Sequence, residues 1–374
     1  MGEGKQDMER AEVSLQEQGK TKKVYYEWIR LIACFFVIFN HLKGYVLFMN
    51  ASGIKQAFYM VISVVTKINV PLFFMVSGAL LLDKKEDIVT VLRKRISRIG
   101  LVSLLFELGI YTECWLYASA RGRDYEFTVK RFLYGVFERN LDETGAYWYL
   151  YAYLGFLFLL PLMQKLAKQM RRSDFYTLFI LHFVLLSLFP MCNLLLLRSG
   201  YDGLSVTEEF SVPLATTAAL FYPLTGYYID RKIDIRTVPK KTWTGLFAAA
   251  LAGIGISCLC VYADGAAGEE YLTLFDYLLA AVVFLLIKYV VAVRFPALSL
   301  GRTAETVCFM GSLTFGIYLL DHYFKLVLYN GYETFAERFL PSLFASFGWC
   351  AVSMFLGGNV TWILKKLPLF RKIL

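Results

Sequence analysis

Long apolar stretches alternate with short polar connections along almost the whole chain. The apolar stretches fall at about 24–48, 57–82, 99–120, 146–164, 175–197, 211–229, 243–263, 271–293, 306–329 and 341–364. Each is near the roughly 20 residues that a helix needs to cross the hydrocarbon core of a bilayer. A transmembrane barrel would instead show alternating strands of about 10 residues. The pattern predicts an all-α, polytopic membrane protein, a bundle of about ten transmembrane helices. An even number of crossings returns both termini to one side.

One polar stretch interrupts the series. DYEFTVKRFLYGVFERNLDETG (124–145) is too charged to cross, yet Phe127, Phe132, Leu133, Val136 and Phe137 recur at near-helical spacing. That spacing predicts an amphipathic helix lying on the outer membrane surface.

Composition narrows the class. Of 374 residues 57% are hydrophobic and 18% charged, against about a quarter charged in soluble domains. Mean hydropathy is +0.52. These values exclude a soluble enzyme, a coiled coil and a disordered chain. The net charge of +9 does not point to nucleic acid, because the basic residues crowd into alternate connections. Arg93, Lys94, Arg95 and Arg98 share one, Arg231, Lys232, Arg236, Lys240 and Lys241 another, and Lys365, Lys366, Arg371 and Lys372 follow the last span. Lys and Arg are retained on the cytoplasmic side, so both termini are expected there. Residues 1–23 read as a disordered cytoplasmic tail, 24–366 as the membrane domain and 367–374 as a short basic cytoplasmic tail. The seven cysteines lie in or beside apolar segments without CxxC spacing. They read as small buried hydrophobes, and no metal site is expected.

Ionisable residues inside a span cost several kcal/mol and by default mark function. The first span holds Glu27, Arg30 and His41. Arg30 and His41 are 11 residues apart, an offset of about 20° from three full turns, so they share a helix face with a rise of about 16 Å. Glu27 lies one turn before Arg30 and can pair with it. A snorkelling arginine and a locally satisfied histidine would give the same pattern. In the second span, NVPLFFMVSGALL (69–81) carries Pro71 and Gly78, which loosen the backbone ladder and permit close helix approach. At the entry to the third, Arg95 and Arg98 are three residues apart. Two fixed guanidiniums there would suit a phosphate or pyrophosphate.

These segments together resemble one family. Arg-x10-His in the first span, NVPLFFMVSGALL in the second, KRISRI (94–99) opening the third and SLTFGIYLLDH (312–322) in the ninth are similar to the signatures of the acyltransferase-3 family of integral membrane acyltransferases. The resemblance implies acyl-CoA, most often acetyl-CoA, as a cytoplasmic co-substrate. It implies delivery of the acyl group to a hydroxyl or amine, often on a cell-surface polysaccharide or its lipid-linked precursor. It further implies a multi-pass protein of the plasma or inner membrane. By the same resemblance His41 is the essential histidine, Arg30 its partner and Glu27 a replacement for the family's usual aspartate. Arg95 and Arg98 match the basic pair near the CoA phosphates, and Ser77 in the FFMVSG segment joins the candidate donor-binding residues. The chain departs from the pattern in its ninth span. Tyr318–Leu319–Leu320 is followed by Asp321, and His322 comes one position late. A one-residue shift rotates a side chain by about 100°, so His322 receives no catalytic role here and Asp321 is left unassigned. His182 has no motif around it and reads as a buried, satisfied histidine.

Acyl transfer needs a hydroxyl made nucleophilic, and His41 as general base fits that need; an acyl-imidazole at His41 fits as well. Trp115, Tyr117, Tyr147, Trp148, Tyr149, Tyr151 and Tyr153 serve equally as sugar platforms or as an interfacial aromatic belt. A multi-span transporter of a sugar, lipid-linked or acyl-bearing substrate is the second class that these features describe. Acceptor identity and oligomeric state have no readable signature.

Overall fold

The computed structural model describes residues 23–139, 141–207, 210–265 and 270–374. Apart from Lys23, the tail expected over 1–23 lies outside the described residues. The described residues are helical, with no strand among them. The longer helices are α1 (Val24–His41), α2 (Gly53–Thr66), α3 (Asn69–Leu81), α4 (Ser97–Ala120), α5 (Val129–Glu138), α6 (Trp148–Gln169) and α7 (Arg172–Phe183). After them come α8 (Phe189–Arg198), α9 (Ala218–Arg231), α10 (Lys240–Asp264), α11 (Asp276–Tyr289), α12 (Gly301–Ala336), α13 (Ser342–Leu364) and α14 (Pro368–Ile373).

Eight helical stretches among the described residues are long and apolar enough to cross a membrane. A ninth is made if α1 is joined to the short helix Gly44–Asn50, from which it is bent by 48°. The expected span at 211–229 falls short. It is built as the 14-residue α9 behind a four-residue turn, Pro213–Thr216. A 14-residue helix is about 21 Å long, less than the roughly 30 Å hydrocarbon core. From Ala219 to Asp230 every α9 residue is buried, so its apolar sequence meets protein on all sides. Sequence hydropathy cannot tell such a helix from one that faces lipid.

The second span is broken near its middle. Pro71 brings no N–H to the ladder, so the helix stops at Thr66 and restarts at Asn69. The restarted half, α3, packs at the centre of the bundle against α9. Two glycines set that crossing. A Cβ on Gly78 would fall on the Pro223 carbonyl, and one on Gly226 on the Met75 carbonyl. Such backbone-to-backbone approach replaces hydrophobic drive where the surrounding solvent is itself apolar.

Polar groups gather at the end of the bundle that also receives the 367–374 segment. Asp230 accepts from Lys23 at 2.9 Å and from the Tyr25 hydroxyl, while Arg231 pairs with Asp230 at 3.2 Å and Asp83 at 3.3 Å. Buried Lys288 donates to the carbonyls of Ile229, Asp230 and Ile233 at 3.0–3.2 Å. It thereby satisfies the Ile229 and Asp230 carbonyls at the C-terminus of α9, which its own ladder leaves over. This is called the basic end below. Away from it, α5 realises the expected amphipathic helix: Val136 is buried beneath Tyr111 and Leu141, while Phe137 is 87% exposed.

The α3–α9 crossing is testable. Gly226→Ala is expected to cost at least about 1–3 kcal/mol, the range for overpacking, read as a lowered thermal midpoint in detergent. Gly245→Ala is the control, because nothing lies within 4 Å of its added Cβ. Equal midpoints in the two variants would contradict the close crossing.

Candidate active site

His41 closes α1, and its place is set by groups from three other helices. Its Nδ1 lies 2.8 Å from Asp321 Oδ2 on α12. The second oxygen of that carboxylate accepts from the Ser353 hydroxyl on α13 at 2.6 Å. Asp321 is 1% exposed. Against an ionised carboxylate, which can only accept, Nδ1 would donate and Nε2 would be the basic nitrogen. The backbone carbonyl of His41 accepts from Lys325 Nζ, which ties the last turn of α1 to α12 a second time. Beside it, Asn40 Nδ2 donates to the Thr66 carbonyl at 3.0 Å, holding the end of α1 against the break in the second span.

One turn and a half inside the basic end, Arg30 Nη1 pairs with both oxygens of Glu27 at 3.1 and 3.2 Å. Glu27 itself is buried against Gly311, where a Cβ would fall on its carboxylate. The glycine lets α12 approach α1 closely enough to hide the acid while the guanidinium stays 28% exposed.

That exposure faces a cavity of about 760 Å³ whose wall includes Arg30, His41, Ser77 and Arg98. The expected common face of Arg30 and His41 is therefore present, and both side chains border the same space. Tyr149 and Tyr153, stacked at 5.8 Å between ring centroids, continue the wall. Of the other aromatic candidates, Trp148 lines the cavity. Trp115 stacks on Phe127, the Tyr117 ring lies under Arg121, and Tyr151 donates to Glu107.

Arg95 and Arg98 part company. A π-helical turn spans Leu92–Ile96 just before α4, and the two side chains take different partners. Arg98 lines the cavity, and donates to the carbonyls of Ile373 at 2.9 Å and Leu374 at 3.1 Å. Arg95 lies outside the cavity wall and makes a two-pronged pair with Glu86, 2.9 Å on each prong. The 367–374 segment, expected as a short basic tail, folds as α14 with Ile373 and Leu374 buried beside Arg98.

Sequence reasoning left Asp321 unassigned, and geometry makes it the partner of His41. The signal was an intramembrane carboxylate, which must find a partner; sequence does not say which, since His41 is 280 residues away. His322 does not line the cavity. His182 gives Nδ1 to the Ala215 carbonyl at 2.6 Å and stacks on Phe221, a satisfied interior histidine.

A model of the acyltransferase-3 family, described as an acyltransferase domain, matches residues 23–366. No curated protein and no solved structure matches the chain.

The Arg95–Glu86 pair carries a pH signature. Hydrogen bonding to Arg95 holds the Glu86 carboxyl below its ordinary value of 4.5. Its stabilisation is full above that ordinary value and is lost as pH falls through the depressed one. Glu86→Gln is expected to flatten the acid-side fall of the thermal midpoint below pH 4.5. Coincident acid limbs in parent and variant would show that the pair adds nothing.

Proposed function

The chain belongs to the acyltransferase-3 family, and from that premise we propose that it moves an acetyl group from cytoplasmic acetyl-CoA to a hydroxyl of a cell-surface polysaccharide or its lipid-linked precursor. The membership makes it an acyltransferase, and its apolar helices make it a multi-pass membrane protein. The finer reading is carried by one observation: Arg30, Arg98 and His41 border a single cavity, with His41 held by a buried carboxylate.

In this reading the basic end faces the cytoplasm of a cell carrying the protein in its plasma or inner membrane. The CoA nucleotide enters there, with Arg98 on its phosphates in place of the backbone carbonyls that Arg98 now holds. Arg95, clasped by Glu86, adds positive potential at the mouth. Arg30 and Ser77 flank the pantetheine arm, and Glu27 keeps the Arg30 guanidinium aimed into the cavity. The thioester then reaches His41, about 16 Å further along α1.

The reaction closes as follows. His41 Nε2 takes the proton of the acceptor hydroxyl. The oxygen attacks the thioester carbonyl, a C–O bond forms and the C–S bond breaks. The CoA thiolate recovers the proton from His41. Asp321 keeps Nδ1 protonated throughout and stabilises the transient imidazolium. General-base assistance of this kind contributes about 100- to 10,000-fold.

Three variants test the assignment in purified, membrane-reconstituted protein. Asp321→Asn, with fold checked by its thermal midpoint, is expected to lower kcat for acetyl transfer about 100- to 10,000-fold with little change in KM for acetyl-CoA. Wild-type kcat in that variant would remove Asp321, and with it the base geometry. Arg98→Gln is expected to raise KM for acetyl-CoA about 10- to 150-fold, the equivalent of one charge-assisted hydrogen bond, whereas Arg95→Gln raises it less. Equal effects of the two would place both side chains on the donor and contradict the division drawn above.

A further inference from the structure

The 367–374 segment follows the residues that match the family model, 23–366, yet it reaches the donor path. Pro368 opens α14, and Ile373 and Leu374 are buried at its far end. Both belong to the apolar cluster that holds Val37 of α1 and Val102 of α4. Leu374 also forms part of the cavity wall, together with Arg98 and Arg30. Above it the Arg98 fork is fully engaged: Nε donates to the Ile373 carbonyl at 2.9 Å and Nη2 to the Leu374 carbonyl at 3.1 Å. The two prongs that would grip a phosphate are the two that hold this segment.

The segment is held on one side only. Phe370, Ile373 and Leu374 recur at helical spacing and face the bundle. Leu367, Leu369, Arg371 and Lys372 are exposed. A helix of six residues is far shorter than the roughly 12 residues that a helix needs to persist alone. Its order therefore depends on the docked face, and a competitor for Arg98 releases the whole turn. Phosphate oxygens suit that competition, because a guanidinium fork grips them bidentately with charge assistance.

We propose that the 367–374 segment is an autoinhibitory plug of the donor path. Docked, it occupies the Arg98 fork and closes part of the cavity wall with Leu374. Acetyl-CoA binds when the segment is expelled, so donor affinity is lowered by the fraction of protein that is plugged. The inference rests on the reading of Arg98 as the phosphate contact of the donor. No residue of the segment takes part in proton transfer or in the donor path, so its removal leaves the chemistry intact.

The test uses the protein in lipid nanodiscs, with CoA as the binding probe. Deleting 368–374 is expected to tighten CoA binding at least about tenfold, the factor for a plug docked about nine-tenths of the time, while kcat for acetyl transfer moves less than twofold. Ile373→Ser combined with Leu374→Ser keeps the chain length and removes the apolar anchors; it is expected to act in the same direction and guards against damage from the deletion. In the parent, saturating CoA is expected to speed hydrogen exchange of the peptide covering 368–374, whose Arg371 and Leu374 amides are now bonded to the Leu367 and Phe370 carbonyls. In an Arg98→Gln background the deletion is expected to change CoA affinity less than threefold, since the latch is already gone. Unchanged or weaker CoA binding in both segment variants overturns the plug, as does hydrogen exchange that CoA does not alter. If Arg98→Gln still weakens CoA binding in the parent, the donor path survives that failure. Equal CoA affinity in the parent and Arg98→Gln overturns the donor path itself, and the plug with it.

Discussion

An imidazole and a carboxylate inside an apolar bundle must find each other, and the pairing of His41 with Asp321 is the constraint on which the site depends. Ser353 occupies the second carboxylate oxygen, so Asp321 has a fixed orientation as well as a partner. The three residues come from α1, α12 and α13, and the contact locks those helices in register. With Nδ1 engaged by Asp321, Nε2 is the nitrogen that the proposed proton transfer uses. Lys325 and Asn40 reinforce the same corner by binding the backbone at either side of it.

The cavity beside this pair follows from imperfect helices. A bundle of continuous helices packs its interior with side chains and leaves little open space. Here Pro71 stops one helix within the membrane, α9 is too short to span, and α11 begins only after an irregular turn. The space they leave is kept open at one end by charged side chains and bounded along its length by aromatic rings. Meanwhile the glycine contacts of α3 with α9 and of α12 with α1 keep the frame tight. Close packing around a polar opening holds the site within the helices themselves.

Much of this was legible in the chain. Hydropathy predicted the helical class and most of the spans, and the helical period correctly brought Arg30 and His41 to one face. What was not legible shares a physical cause: each depends on a neighbour distant in sequence. The stretch 211–229 is apolar because protein surrounds it, and lipid would demand the same residues. Arg95 and Arg98 share a helical spacing, but their partners, Glu86 and the carbonyls of Ile373 and Leu374, are not announced by any residue in KRISRI. Asp321 stood out as an intramembrane acid, but its link to His41 spans 280 positions. The polar cavity wall formed by Lys67, Tyr222 and Asp276 draws on three separate segments of the chain.

The central claim is that one cavity brings a thioester from the basic end to His41 Nε2. The most direct measurement is a cryo-electron microscopy structure with a non-reactive thioether analogue of acetyl-CoA. The account predicts the nucleotide at Arg98, the pantetheine arm past Arg30 and the acyl carbon beside Nε2, with the His41–Asp321 bond intact. A nucleotide bound at the opposite end of the bundle, or an acyl group remote from His41, would contradict it.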